Sequence, residues 1–92
     1  MRAVRYTEPA DACFDPLTPE QRRGIVQRVA QIQADPAPDY VLRIPFPELG
    51  ADYYLYIDSM QYWVLYAFDD TVVTIRGLGV GGFYVPIDRD DC

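Results

Sequence analysis

Gln61 to Gly77 reads QYWVLYAFDDTVVTIRG. Two runs rich in aromatic and β-branched residues flank Asp69-Asp70, the pattern of two strands joined by a hairpin. Side chains alternate with period two along a strand, so Tyr62, Val64, Tyr66 and Phe68 share one face and Trp63, Leu65 and Ala67 share the other. Both sets are apolar. The bulkier Tyr-Val-Tyr-Phe set is expected to face a helix in the core. A helix covers only one face of a small sheet, which leaves Trp63 and Leu65 on the open face, as an apolar patch that a monomer rarely leaves bare.

Upstream, LTPEQRRGIVQRVAQIQADP carries the clearest helix signal. Thr18 suits the N-cap, Pro19 the first helical position, and Gln21 completes a capping box. Ile25, Val29 and Ile32 recur at helical spacing with Val26 beside them, and should pack on the sheet. Gly24 invites a close approach to the sheet. Asp35-Pro36 ends the helix, because the residue before proline avoids helical dihedrals. Arg2 to Tyr6 is extended in character and is stopped by Pro9, and Ala10 to Pro16 reads as a loop or a distorted turn.

Tyr40, Leu42 and Ile44 alternate towards Pro45 as a strand. Tyr53 to Asp58, Gln61 to Phe68 and Thr71 to Arg76 follow as three more, joined at Ser59-Met60 and Asp69-Asp70. A last short strand is expected around Phe83 to Val85. Strand, helix, then a run of strands is the order of an α+β domain. We expect an antiparallel sheet of four to five strands, with an N-terminal helical region on one face, in a single domain over residues 1–92. The glycines of GLGVGG match no nucleotide-binding spacing and are followed by no helix. They predict a bent or bulged strand end instead.

Composition narrows the chemistry. The chain of 92 residues is half apolar with eight tyrosines, a folded rather than disordered composition. A net charge of -6 argues against non-specific nucleic-acid binding. There is no histidine, so no imidazole can act as base or metal ligand, and no cofactor or metal is indicated. Cys13 and Cys92 lack metal-ligand spacing; they read as two reduced thiols, with a disulfide between the C-terminus and the first loop as the alternative. No apolar run is long enough to span a membrane and no signal-peptide pattern opens the chain, so a cytoplasmic protein is expected.

Taken together, LTPEQRRGIVQRVAQIQADPAP and YYLYIDSMQYWVLYAFDDTVVTIRGLGVG make the chain resemble the RelE/ParE superfamily of bacterial toxins. The first segment is similar to the family's helical region and the second to its closing strands. The family's Gly-Asp-Tyr-Arg stretch corresponds to Met60-Gln61-Tyr62-Trp63, so Tyr62 is kept and Trp63 stands where an arginine is usual. Basic or histidine residues that follow the last strand in family ribonucleases are also missing; Tyr84 and Arg89 are what this chain offers there. The resemblance implies a toxin-like component of a toxin–antitoxin module with a degenerate ribonuclease site. Its partners would be a cognate antitoxin and a protein target such as gyrase or the ribosome, with a homodimer as a further association.

One alternative is a metal-independent mRNA endonuclease. It needs a base for the 2′-hydroxyl, a cation for the phosphorane charge and an acid for the leaving oxygen. Arg43 and Arg76 are its candidate cations, with Tyr84 or Glu48 as acid or base. Another alternative is a non-toxic scaffold or inhibitor of the same fold. Trp63 and Leu65 are the candidate partner-binding residues, since a tryptophan is a poor catalytic substitute for arginine but a good interface anchor.

Overall fold

A computed structural model of the chain describes residues 2–37, 39, 41–46 and 51–81. Tyr40, Glu48, Tyr84, Arg89, Cys92 and the expected strand at Phe83 to Val85 lie outside the described residues. In order come β1 (Ala3–Tyr6), α1 (Glu8–Ala12), α2 (Pro19–Ala34), β2 (Leu42–Phe46), β3 (Ala51–Ile57), β4 (Tyr62–Phe68) and β5 (Val72–Val80). The five strands form one sheet in the order β1-β5-β4-β3-β2. No helix among the described residues is long and apolar enough to cross a membrane.

The α+β class and the strand number agree with the sequence reading, but the sheet is mixed rather than antiparallel. β1 runs parallel to β5, while β2, β3, β4 and β5 pair antiparallel in sequence. Short connections between consecutive strands go with the antiparallel pairing of the last four. β1 is followed by helices instead of a turn, so no local signal sets its direction. A second correction concerns Ala10 to Ala12, which end a helix, while Cys13 to Pro16 form the expected turn. Thr7 caps a short helix there, its hydroxyl accepting from the Ala10 amide at 3.2 Å. Pro9 stands in the first turn of α1, where its missing N–H costs nothing.

α2 is built as its sequence dictates. The Thr18 hydroxyl accepts from the Gln21 amide at 3.1 Å, and the Gln21 side-chain oxygen accepts from the Thr18 amide at 3.0 Å. Asp35 closes the helix. Ile25, Val29 and Ile32 are buried against Tyr62, Val64 and Tyr66 of β4 and Val73, Ile75 and Leu78 of β5. Val26 turns outward. The Tyr66 hydroxyl donates to the Pro36 carbonyl at 2.6 Å, tying the central strand to the end of α2.

The β3–β4 connection spans Asp58 to Gln61, longer than the two residues expected. Gln61 takes a left-handed conformation at φ 64°, and its amide donates to the Asp58 carbonyl at 2.9 Å. In β5 the pairing with β4 slips between Leu65 and Tyr66: Leu65 faces Gly77, and Tyr66 faces Ile75. Arg76 is the extra residue of a β-bulge, just before the glycines that were read as a bulged strand end; the bulge lies within the strand instead, and β5 continues past it to Val80.

Val29 tests the helix face. Val29→Asp should abolish cooperative unfolding or strip several kcal/mol, because a buried carboxylate has no partner there. Thermal denaturation followed by circular dichroism reads this out; an unchanged melting temperature would put the other helix face inward.

Candidate functional site

The face of the sheet turned away from α2 holds Tyr53 and Leu55 of β3 with Trp63 and Leu65 of β4, flanked by Ile44 and Ala67. Trp63 therefore lies on the face that its register predicts. It does not lie bare. Trp63 is 3% exposed and Leu65 1%, so the chain itself buries them as a second core. The premise that only a helix can cover a sheet face was wrong here. Trp63 sits opposite Gly79 in the β4–β5 register, and a Cβ built at Gly79 would come within 2.9 Å of three indole atoms. The glycine makes room for the ring, a role that the spacing of GLGVGG carried but that no local rule connects to Trp63.

The candidate cations are not brought together. Arg43 pairs with Tyr54 in the β2–β3 register, and Tyr54 packs on the helix-side core, so alternation puts Arg43 on the α2 side of the sheet. It is bound to Asp52, with Nε to Oδ2 at 2.8 Å, and this hydrogen bond and charge hold its pKa above the usual arginine value. Arg76 projects from the bulge to the opposite face, where its guanidinium carbon stands 5.2 Å from the Tyr53 ring centroid. Among the described residues, no three His, Cys, Asp or Glu side chains converge on a metal position. Cys13 is buried and disulfide-bonded, which corrects the expectation of a reduced thiol.

A polar cluster that sequence reasoning missed lies where α2 meets the β3–β4 turn. The Arg28 Nε donates to Asp58 Oδ2 at 2.7 Å, its Nη1 donates to the Gly24 carbonyl at 2.9 Å, and its guanidinium carbon stands 4.0 Å over the Tyr62 ring. Gly24 is required by that ring: a Cβ there would meet Tyr62 Cε2 well inside contact distance. Asp58 also accepts from the Met60 and Tyr62 amides at 3.0 and 3.2 Å. Burial alone would raise the Asp58 pKa, but the hydrogen bonds from Arg28, Tyr62 and Met60 and the Arg28 charge outweigh it, so the pKa is lowered. The signal available in sequence was weak, because Arg28 and Asp58 are thirty residues apart and Arg28 falls among other helix arginines.

A cavity of about 300 Å³ opens beside this cluster, between Glu20, Arg23 and Gln27 of α2 and Met60 at the turn. Another of about 350 Å³ lies between the α1–α2 connection, at Pro16 and Leu17, and Trp63 and Val80. The cavity beside Arg28 has Glu20, Arg23, Arg28 and Tyr62 in its wall, a carboxylate, two guanidiniums and a phenol, but Arg28 is engaged with Asp58 and the Gly24 carbonyl, and neither Arg43 nor Arg76 lines either cavity. The cluster can hold the turn, and the sequence's candidate cations Arg43 and Arg76 are not brought to one phosphate position. Compared with known proteins, the chain matches no family model, no curated protein and no solved structure.

Asp58→Asn tests the cluster. A carboxylate with a lowered folded pKa contributes stability that is fully present above its unfolded value near ~3.9 and is lost as pH falls through the folded pKa. The variant should lose roughly 1–2 kcal/mol at pH 7 in urea denaturation, and its difference from the parent chain should shrink as acid protonates Asp58. A difference that stays constant down to pH 2 would show that the charge does not matter.

Proposed function

We propose that the chain is a toxin-like component of a bacterial toxin–antitoxin module, of the RelE/ParE kind, and that it acts by binding. Its partners are an antitoxin protein and a protein target. The α+β arrangement, with two helices packed on a five-stranded sheet, is in keeping with that resemblance. The observation that carries the choice of binding over RNA cleavage is the separation of Arg43 and Arg76 on opposite faces of the sheet. Each guanidinium is already engaged, one with a carboxylate and one over a ring. The acidic balance of the chain weighs the same way. Fold likeness by itself is weak support for an activity, so the weight rests on those side chains.

The same two arginines also favour the non-toxic scaffold or inhibitor over the endonuclease, and growth separates it from the toxin. Induction in a bacterial host should arrest growth, and co-expression with the neighbouring small open reading frame should relieve the arrest and give a co-purifying complex. In a reconstituted translation reaction the mRNA should stay intact. Unchecked growth on induction supports the scaffold reading, and mapped mRNA cuts that disappear in Arg76→Ala restore the enzyme.

A further inference from the structure

Among the described residues β1 and β2 are the two edges of the sheet, and they differ in what they offer a visitor. β2 carries Pro45, which has no N–H to give and is a usual way of blunting an edge. β1 has no such block. The Ala3 amide donates to the Thr71 carbonyl at 2.9 Å and the Thr7 amide to the Ile75 carbonyl at 3.0 Å, so alternate residues from Ala3 to Thr7 turn their backbone groups towards β5. Val4 and Tyr6 therefore point theirs outward. Two donors and two acceptors stand along the edge, with none of them bonded among the described residues. The Val4 and Tyr6 side chains pack on the core, which keeps this short strand in place.

The surroundings select the visitor. Arg5, between the two outward residues, is exposed and makes no ion pair among the described residues, in a chain whose net charge is -6. On the helix flank, the Gln33 side chain donates to the Arg2 carbonyl at 2.5 Å, which turns that side of α2 towards β1. Val26, two turns earlier on the same side, is 52% exposed. The edge thus joins open backbone groups, an unpaired cation on one side and an apolar residue on the other. Glu8 and Asp11 of α1 follow at the Tyr6 end and confine the positive stretch to β1 itself.

We infer that β1 accepts an extended acidic segment of another protein as a sixth strand, with a carboxylate opposite Arg5. A second copy of this chain is the poorer occupant. An antiparallel pairing that uses both outward residues joins Val4 of one copy to Tyr6 of the other, and so sets Arg5 directly against Arg5. Like charges in that position destabilise a pair. Strand addition draws its affinity from main-chain hydrogen bonds and its selectivity from the alternate side chains. The inference depends on the edge alone and stands whether or not the protein arrests growth.

The probe is the peptide acetyl-Glu-Ile-Glu-Val-Glu-amide at millimolar concentration, with its lysine counterpart acetyl-Lys-Ile-Lys-Val-Lys-amide as the control. Amide NMR of the full chain should show slowed hydrogen exchange at Val4 and Tyr6 with the acidic peptide and none with the basic one. Arg5→Glu lies on the surface, and an unchanged melting temperature will show that it folds. It should weaken the acidic peptide about tenfold and admit the basic one. Three results overturn the inference: no protection at Val4 and Tyr6, equal binding of both peptides, or binding by Arg5→Glu as tight as before. Protection that appears on concentrating the chain without peptide assigns the edge to a second copy instead. Displacement of the acidic peptide by an oligoribonucleotide in an Arg5-dependent way assigns it to nucleic acid. Either result also overturns it.

Discussion

β4 is buried on both faces, and most of the architecture follows from that one constraint. Tyr62, Val64 and Tyr66 meet α2 and β5 on one side, while Trp63 and Leu65 belong to a separate core on the other. A strand in this position cannot slip by one residue without exchanging every contact it makes. β3 and β5 are held in register by it, and through β5 so is β1. The features at its two ends are accommodations to its side chains. Gly24 lets the helix pass over Tyr62, Gly79 lets the adjacent strand pass beneath Trp63, and Pro36 accepts the Tyr66 hydroxyl. Burying a large apolar side chain contributes roughly 1.5–3 kcal/mol in area terms, so the five buried aromatics Tyr53, Tyr56, Tyr62, Trp63 and Tyr66 on β3 and β4 weigh heavily in a domain this small.

The double burial bears directly on function. An arginine at the position of Trp63 would have to surrender its charge to an apolar core or keep that face open. This chain does neither. Trp63 closes the face, Arg76 is folded down over Tyr53, and the other described arginines are spread over α2 and the two outer strands, with Arg2 just before β1. A cleavage site needs convergence of an acid, a base and a cation within hydrogen-bond reach of one phosphate. Arg43 and Arg76 do not converge in this way, and the proposal of binding rests on that separation.

How far this was legible in the sequence depends on the range of the interaction. The capping box at Thr18 and Gln21, the stop at Asp35-Pro36 and the inward row of Ile25, Val29 and Ile32 are local patterns, and the structure follows them. The alternation in QYWVLYAF placed every residue on its proper face. What failed was the step from face to exposure: register fixes which way Trp63 points, but not whether more of the chain covers it. The direction of β1 was hidden for a related reason, since no turn links it to its neighbour. The Arg28, Asp58 and Tyr62 cluster joins a helix to a hairpin across thirty residues, beyond any spacing rule. Arg43 and Arg76 looked alike as lone strand arginines, and only the cross-strand register, which sets Arg43 beside Tyr54 on the α2 side and leaves Arg76 on the face opposite Ile75, shows that they lie apart.

Trp63 is the chain's single tryptophan, which makes the central claim open to one direct measurement. Steady-state fluorescence with acrylamide as quencher reports the exposure of the indole in the native protein. Burial on the face opposite α2 predicts a blue-shifted emission with weak quenching, moving to the free-tryptophan spectrum and strong quenching only in denaturant. An emission already like that of free tryptophan in native buffer, quenched as strongly as in the unfolded chain, would contradict the account and return Trp63 to an open surface.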